Sequence, residues 1–164
     1  METGNPLLDV VVVDKIERGN ACDVRVLPLI DARDIGFVSS LDLCTIFGNA
    51  LDNAIEAASK VTDPDRREVK VRVATRGRMV AVSVTNPYEK EPLMRAGLPV
   101  YAGDHAWANA ETEGPLGDAS SDTPAPHGSG VRNICAAVEA YGGHATFTAQ
   151  DGVFTFNALI PFPS

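Results

Sequence analysis

LDLCTIFGNALDNAIEAASK, residues Leu41 to Lys60, is the stretch on which the reading of the fold turns. Leu43, Ile46, Phe47, Ala50, Leu51, Ala54, Ala57 and Ala58 recur at three- and four-residue steps, which places them on one buried helical face. Ser39 and Ser40 precede the run, and Asp42 stands three residues after Ser39, a pair suited to capping the N–H groups of a first turn. At about 100° per residue, Thr45, Asn49, Asp52, Asn53 and Glu56 fall in one polar wedge beside the apolar stripe. Asn is a poor helix former, costing up to roughly 0.7 kcal/mol against Ala. Asn49 and Asn53 are nevertheless four apart in mid-helix, one turn above the other on the same face. A side-chain amide can ligand a hard cation through its oxygen or donate to phosphate and ribose oxygens. From spacing alone, a solvated face carrying two Asn is the simpler reading.

Outward from this helix, the chain alternates helical and extended patterns. Before it, Thr3-Gly4-Asn5-Pro6 reads as a cap with Pro in the first turn. Leu7, Leu8, Val11, Val12 and Ile16 then make a helical stripe, stopped at Gly19–Asn20. Cys22 to Leu27 alternates as a half-buried strand, and Pro28 to Val38 reads as a connection. After it, Thr62 to Asp65 is a turn cluster, and Glu68–Thr75 and Met79–Thr85 are two alternating Val-rich strands joined at Arg76-Gly77-Arg78. Residues 86–126 concentrate Pro, Gly, Ser, Asp and Ala, a length of connection that compact domains keep for functional or mobile loops. A helix opens at His127-Gly128-Ser129-Gly130 and runs to about Tyr141, stopped by Gly142–Gly143. Strands at Ala145–Ala149 and Val153–Ile160 follow. The order predicts an α/β two-layer sandwich, a mixed sheet with helices on one face, forming a single domain over residues 1–164.

Composition bounds the function. The 164 residues suffice for one domain with a core, and 45% hydrophobic with 22% charged residues describes an ordinary globular chain. A net charge of −8 argues against nucleic acid as a partner. No apolar run reaches membrane-span length; Asp9 interrupts the longest candidate, Leu7 to Val13. Cys22, Cys44 and Cys135 are odd in number and scattered, which suits buried thiols in a reducing compartment and no zinc site.

The strongest chemical feature is His127-Gly128-Ser129-Gly130 at a helix start. Gly allows close backbone approach, the helix N-terminus offers unpaired N–H groups, and Arg132 adds a cation. Together with Asn49, Asn53 and Asn86, this loop carries a family resemblance. Gly48-Asn49-Ala50-Leu51-Asp52-Asn53-Ala54-Ile55-Glu56-Ala57 resembles the N box of the GHKL superfamily, and His127 to Ile134 resembles its G2 box. The closest resemblance is to the catalytic domain of sensor histidine kinases of the quorum-sensing and citrate-sensor subgroup, whose lead-in is similar to Thr3–Asp9. The resemblance implies a Bergerat-type ATP-binding fold with ATP and Mg²⁺ as cofactors, and a mobile ATP lid at about residues 86–127.

It also implies roles. Asn53 would ligand Mg²⁺, and Asn49 would stand where gyrase-type relatives carry a Glu general base. An amide cannot take a proton from water, so phosphoryl transfer is implied over hydrolysis. Asn86 would replace the adenine-reading Asp of the G1 box, whose Gly pair is lacking here. His127, Gly128, Ser129, Gly130, Val131 and Arg132 would complete the nucleotide site. His105, His127 and His144 do not lie on an acceptor helix. The phosphoacceptor is therefore expected on a dimerisation helix outside this chain, with a response regulator as the indirect partner. The domain is expected to face the cytoplasm, without membrane contact of its own, as part of a membrane-anchored sensor. Two alternatives share the fold: a degenerate module acting through partner contacts, and an anti-sigma-factor Ser/Thr kinase.

Overall fold

The computed structural model describes residues 2–100 and 127–164, with backbone alone for residues 100 and 127–129. Helix α1 (Pro6–Ala21) leads into strand β1 (Arg25–Ile30), and helix α2 (Ser40–Ser59) carries the chain across to β2 (Glu68–Arg76). Strand β3 (Met79–Pro87) follows, then a small hairpin of β4 (Leu93–Arg95) and β5 (Leu98–Val100). Helix α3 (His127–Glu139), β6 (His144–Gln150) and β7 (Val153–Pro161) complete the chain. The main sheet has the order β1-β2-β3-β7-β6. Strands β1 and β2 are parallel, with α2 as the crossover such a pair requires, and the other pairs are antiparallel.

The predicted two-layer sandwich is the one observed. Alternate residues Val69, Val71 and Val73 of β2, Val80, Val82 and Val84 of β3, and Phe154, Phe156, Ala158 and Ile160 of β7 are buried. They meet Leu43, Ile46, Phe47, Leu51 and Ile55 of α2, with α1 and α3 beside it. Each large apolar side chain buried in this way contributes roughly 1.5–3 kcal/mol, so α2 is held mainly by its apolar stripe. Its cap is the expected one: Ser39 Oγ accepts from Asp42 N at 3.1 Å and donates to Asp42 Oδ2 at 3.0 Å.

Two features the sequence did not announce tie α3 to that cap. Tyr141, just past α3, donates its hydroxyl to Asp42 Oδ2 at 2.6 Å and accepts from Ser39 N at 2.9 Å. Its ring stands edge-on to Phe37, which meets Phe162 in the same way. Tyr141 thereby fixes the end of α3 to the start of α2, and with it the angle between the helices that flank the site.

The largest departures of the boundaries from the sequence reading fall in four elements, α1, β1, α3 and β3. Gly19 does not stop α1, which continues to Ala21. A Cβ on Gly19 would sit 2.8 Å from Val24 O and 2.9 Å from Val26 Cγ2, so this glycine lets β1 cross close to the helix. The reversal falls instead to Asp23, in the left-handed region at φ 61°. Strand β1 accordingly starts at Arg25, not Cys22, which is exposed; Val24 and Val26 are buried as expected. It continues through Pro28 to Ile30, because β1 is an edge strand and an edge tolerates a residue without an N–H. Helix α3 ends at Glu139, short of Tyr141. Strand β3 runs two residues beyond Thr85, so Asn86 and Pro87 are paired with Phe154 and Val153 of β7. The first part of the expected lid thus belongs to β3 and the β4–β5 hairpin, while residues 101–126 lie outside the described residues.

Gly142 and Gly143 do different work. Gly142, at φ +77°, turns the chain out of α3. Gly143 is a packing glycine, since a Cβ there would lie 2.5 Å from Leu159 O and 3.0 Å from Val138 O. Gly143→Ala is expected to lose about 1–3 kcal/mol through this backbone collision. Urea unfolding of the variant beside the parent measures it, and an unchanged midpoint contradicts the packing account.

Candidate nucleotide site

Helix α2 brings its two amides to different neighbours. Asn49 is half-buried, and its Nδ2 donates back to Thr45 O at 2.8 Å, the local bond that short polar side chains make in mid-helix. That bond turns its amide toward α3, where a Cβ placed on Gly130 would lie 3.0 Å from Asn49 Oδ1 and 3.2 Å from its Cγ. Gly130 therefore earns its place first by letting the start of α3 close on Asn49. One turn further along α2, Asn53 is half-buried and lines a cleft between α2, α3 and the sheet.

Asn86 closes the same cleft from β3. It is 4% exposed, a buried polar residue in a row of valines, and its Nδ2 donates to Pro87 O at 2.9 Å. The remaining walls are apolar: Ala50 and Ala54 of α2, Val84 of β3, Ile134 of α3, and Phe147, Phe154 and Phe156 of β6 and β7. Phe147 and Phe156 are stacked with centroids 5.2 Å apart. Among the described residues no charged side chain lines the cleft. It is narrow, with a cavity volume of about 10 Å³. A ring system could enter only if the walls parted.

The acidic members of the polar wedge are directed elsewhere. Asp52 is bound by Lys15 at 2.8 Å and lies 3.6 Å from Arg18, both on α1. Glu56 lies 3.7 Å from Lys60 on its own helix. The wedge is thus divided: Asp52 ties α2 to α1, Glu56 pairs along its own helix, and Asn53 is left facing the cleft.

The structure brings Asn53 and Asn86 to one cleft and Asn49 against Gly130. The backbone of His127, Gly128 and Ser129 forms the first turn of α3, just ahead of Gly130, and the side chains of His127 and Ser129 lie outside the described residues. Val131 is 3% exposed and belongs to the core, so it could serve a ligand only through its backbone. Arg132 is exposed on α3. Sequence reasoning reached Ile134 as the end of the stretch resembling the G2 box, and assigned neither it nor Phe147 to the site. The aromatic wall follows from β7 lying between β3 and β6, an order that no single strand reveals. Among the described residues no group of three His, Cys, Asp or Glu could hold a metal. A hard cation would have to rely on the Asn53 amide, ligand oxygens and water, a pattern that suits Mg²⁺.

The segment leaving β3 is anchored beside the cleft. Tyr88 N donates to Gly152 O at 3.0 Å, and the Glu89 carboxylate accepts from Thr62 N at 2.8 Å and Thr62 Oγ1 at 2.9 Å. These Thr62 bonds, helped by Arg66 and Arg67, hold the Glu89 carboxyl below its ordinary range. Because the folded value is depressed, the contribution is complete above the unfolded carboxylate range and fades as pH falls through the folded value. Glu89→Gln is expected to lower the urea midpoint at pH 7 and to make little difference near pH 3. An equal deficit at both pH values would contradict the anchor.

These features define a class: a two-layer α/β domain with a cleft between its central helix and the sheet, apolar for a ring and lined by two amides. Comparison with known proteins names the family. Residues 38–161 match the family model described as GHKL domain, and the chain belongs to that family. No curated protein sequence matches it. Among solved structures, the nucleotide-free catalytic domain of histidine kinase ThkA superposes with a TM-score of 0.61 at 17% identity, covering 96% of this chain and 92% of that one. The Acinetobacter baumannii histidine kinase AdeS superposes at 0.55 with 12% identity, covering 96% of this chain and 66% of that one. At these identities the likeness is one of fold. No helix among the described residues is long and apolar enough to cross a membrane.

Proposed function

We propose that this domain binds ATP with Mg²⁺ in the Asn53–Asn86 cleft and serves as the kinase part of a two-component sensor. It would supply the γ-phosphate to a His on a separate dimerisation helix. The observation that carries the reading is the convergence of Asn53 and Asn86 on one aromatic-walled cleft, while Gly130 at the start of α3 packs against Asn49 one turn away on α2. The base would sit between Ile134 and the Phe147–Phe156 wall, with Asn86 Oδ1 accepting from the exocyclic amine while Nδ2 remains on Pro87 O. The N–H groups of the first turn of α3 favour phosphate oxygens. Asn53 would hold Mg²⁺, whose contribution when bound is to neutralise phosphate charge.

Asn49 contributes position. Its amide, held by Thr45 O and pressed against Gly130, has no basic atom with which to activate water. That favours transfer to a presented acceptor over hydrolysis. The response regulator and a membrane-anchored parent with this domain in the cytoplasm belong to the same proposal.

Isothermal calorimetry with Mg-ADP tests it, followed by transfer of label from ATP to a supplied His-bearing acceptor helix. Binding with Mg²⁺ dependence supports the reading. Silence at millimolar nucleotide would overturn it in favour of a degenerate partner-binding module, a reading that the narrowness of the cleft favours.

A further inference from the structure

The helices cover one face of the sheet, and the opposite face has a charge of its own. Basic residues are scattered along β2, but strand alternation turns Lys70, Arg72 and Arg76 to the same outer side. Among the described residues none of the three has an ion-pair partner. Glu68, the carboxylate of that side of β2, is taken by Arg25 at 3.0 Å. A chain of net charge −8 thus sets three cations along one strand, where they repel one another and nothing on the sheet relieves them.

Beside them lies a shallow hollow of about 420 Å³, far roomier than the nucleotide cleft and remote from its amides. Its floor is Ala74, Ala81 and Ser83, and Leu159 closes one side at 44% exposure. At the β1 edge Leu29 is 68% exposed. The register aligns Leu29, Arg72, Ser83, Asn157 and Thr146 in one row across all five strands. At roughly 4.8 Å per strand the row spans about 19 Å, the length of about thirteen helical residues.

We propose that this face docks an acidic amphipathic helix of a partner protein, its carboxylates on Lys70, Arg72 and Arg76 and its apolar residues on Leu29 and Leu159. Charge complementarity selects the sign of the partner. The exposed leucines select a protein segment over a polyanion, which the overall negative charge of the chain would also repel at long range. The proposal does not depend on nucleotide binding at the cleft.

The test uses the full chain and a fluorescein-labelled helical peptide of about fifteen residues, with Glu on one flank of a Leu stripe, followed by anisotropy. A second peptide carries Lys in place of Glu, and the double variant R72E/R76E serves as the surface control. The expected result is binding of the Glu peptide that weakens with salt. It should fall at least tenfold on R72E/R76E and be absent for the Lys peptide. Melting temperature and the calorimetric response to Mg-ADP should match the parent, since both arginines lie outside the cleft. Equal binding by the variant or by the Lys peptide would overturn the proposal. So would preferential binding of a DNA duplex or of phosphatidylglycerol vesicles. A concentration-dependent dimer of the parent that R72E/R76E abolishes would make the occupant a second copy of this chain, and would likewise overturn it.

Discussion

Asn53→Ala is expected to leave the fold intact and to weaken Mg-nucleotide binding by roughly tenfold or more, a loss of at least about 1.4 kcal/mol. The stability side follows from local chemistry. Asn53 is half-buried in the middle of α2, where Ala is the better helix former by up to roughly 0.7 kcal/mol. The melting temperature should therefore hold or rise slightly, as happens where a residue kept for function is replaced by one that suits its local structure. The binding side follows from placement. Asp52 and Glu56, the carboxylates nearest to it on the helix, are engaged by Lys15 and Lys60, so no neighbouring side chain of α2 can replace the lost amide as a cation ligand. Loss of phosphoryl transfer to a supplied acceptor helix should accompany the loss of affinity. If instead affinity is unchanged and only the small stability change appears, Asn53 is a solvated helix residue and the metal assignment is wrong.

Asn86→Asp is expected to destabilise the domain by about 1–3 kcal/mol at neutral pH, the cost of a buried polar group deprived of its partner. Asn86 is 4% exposed, and its Nδ2 donates to Pro87 O at 2.9 Å. An ionised carboxylate in its place has no proton to donate, so two acceptors would face each other in an apolar cleft. Burial raises the pKa of the introduced carboxyl above its unfolded value, and the protonated form can again donate to Pro87 O. Since the folded value is the raised one, the deficit grows as pH rises through it and shrinks below it. Urea midpoints of parent and variant at pH 5 and pH 8 measure the difference. A deficit independent of pH, or none, would mean that the Pro87 bond does not orient this amide.

The sequence makes α2 legible because a long apolar stripe at helical spacing and the Ser39–Asp42 pair agree with each other. Strands β2 and β3 are legible because valines alternate on either side of a glycine turn, against Lys70 and Arg72 before it and against Ala81, Ser83 and Thr85 after it. The boundaries of α1 and β1 are not. Gly19 looks like a stop and is a close-packing residue, and Asp23 takes the left-handed conformation that a glycine would advertise. The residues of the candidate site could be proposed from motif order, yet their environment could not. That Asp52 belongs to Lys15 and that Gly130 belongs to Asn49 are facts of how helices pack. The phenylalanine wall depends on which strand lies beside which. The grouping of Lys70, Arg72 and Arg76 was readable in principle from alternation, and only their lack of partners required the structure.

The bond from Ser39 N to Tyr141 joins residues 102 apart in sequence. At about 5–20 residues per second, a ribosome would release Ser39 roughly five to twenty seconds before Tyr141. Through that interval α2 exists without the hydroxyl that completes its N-terminal network, and without β7 and the wall that its phenylalanines supply. The apolar stripe on α2 is then a surface that wants a cover. A nascent copy of this domain is therefore exposed to chaperones and proteases until Tyr141 and β7 emerge, and the same residues that end this exposure assemble the cleft.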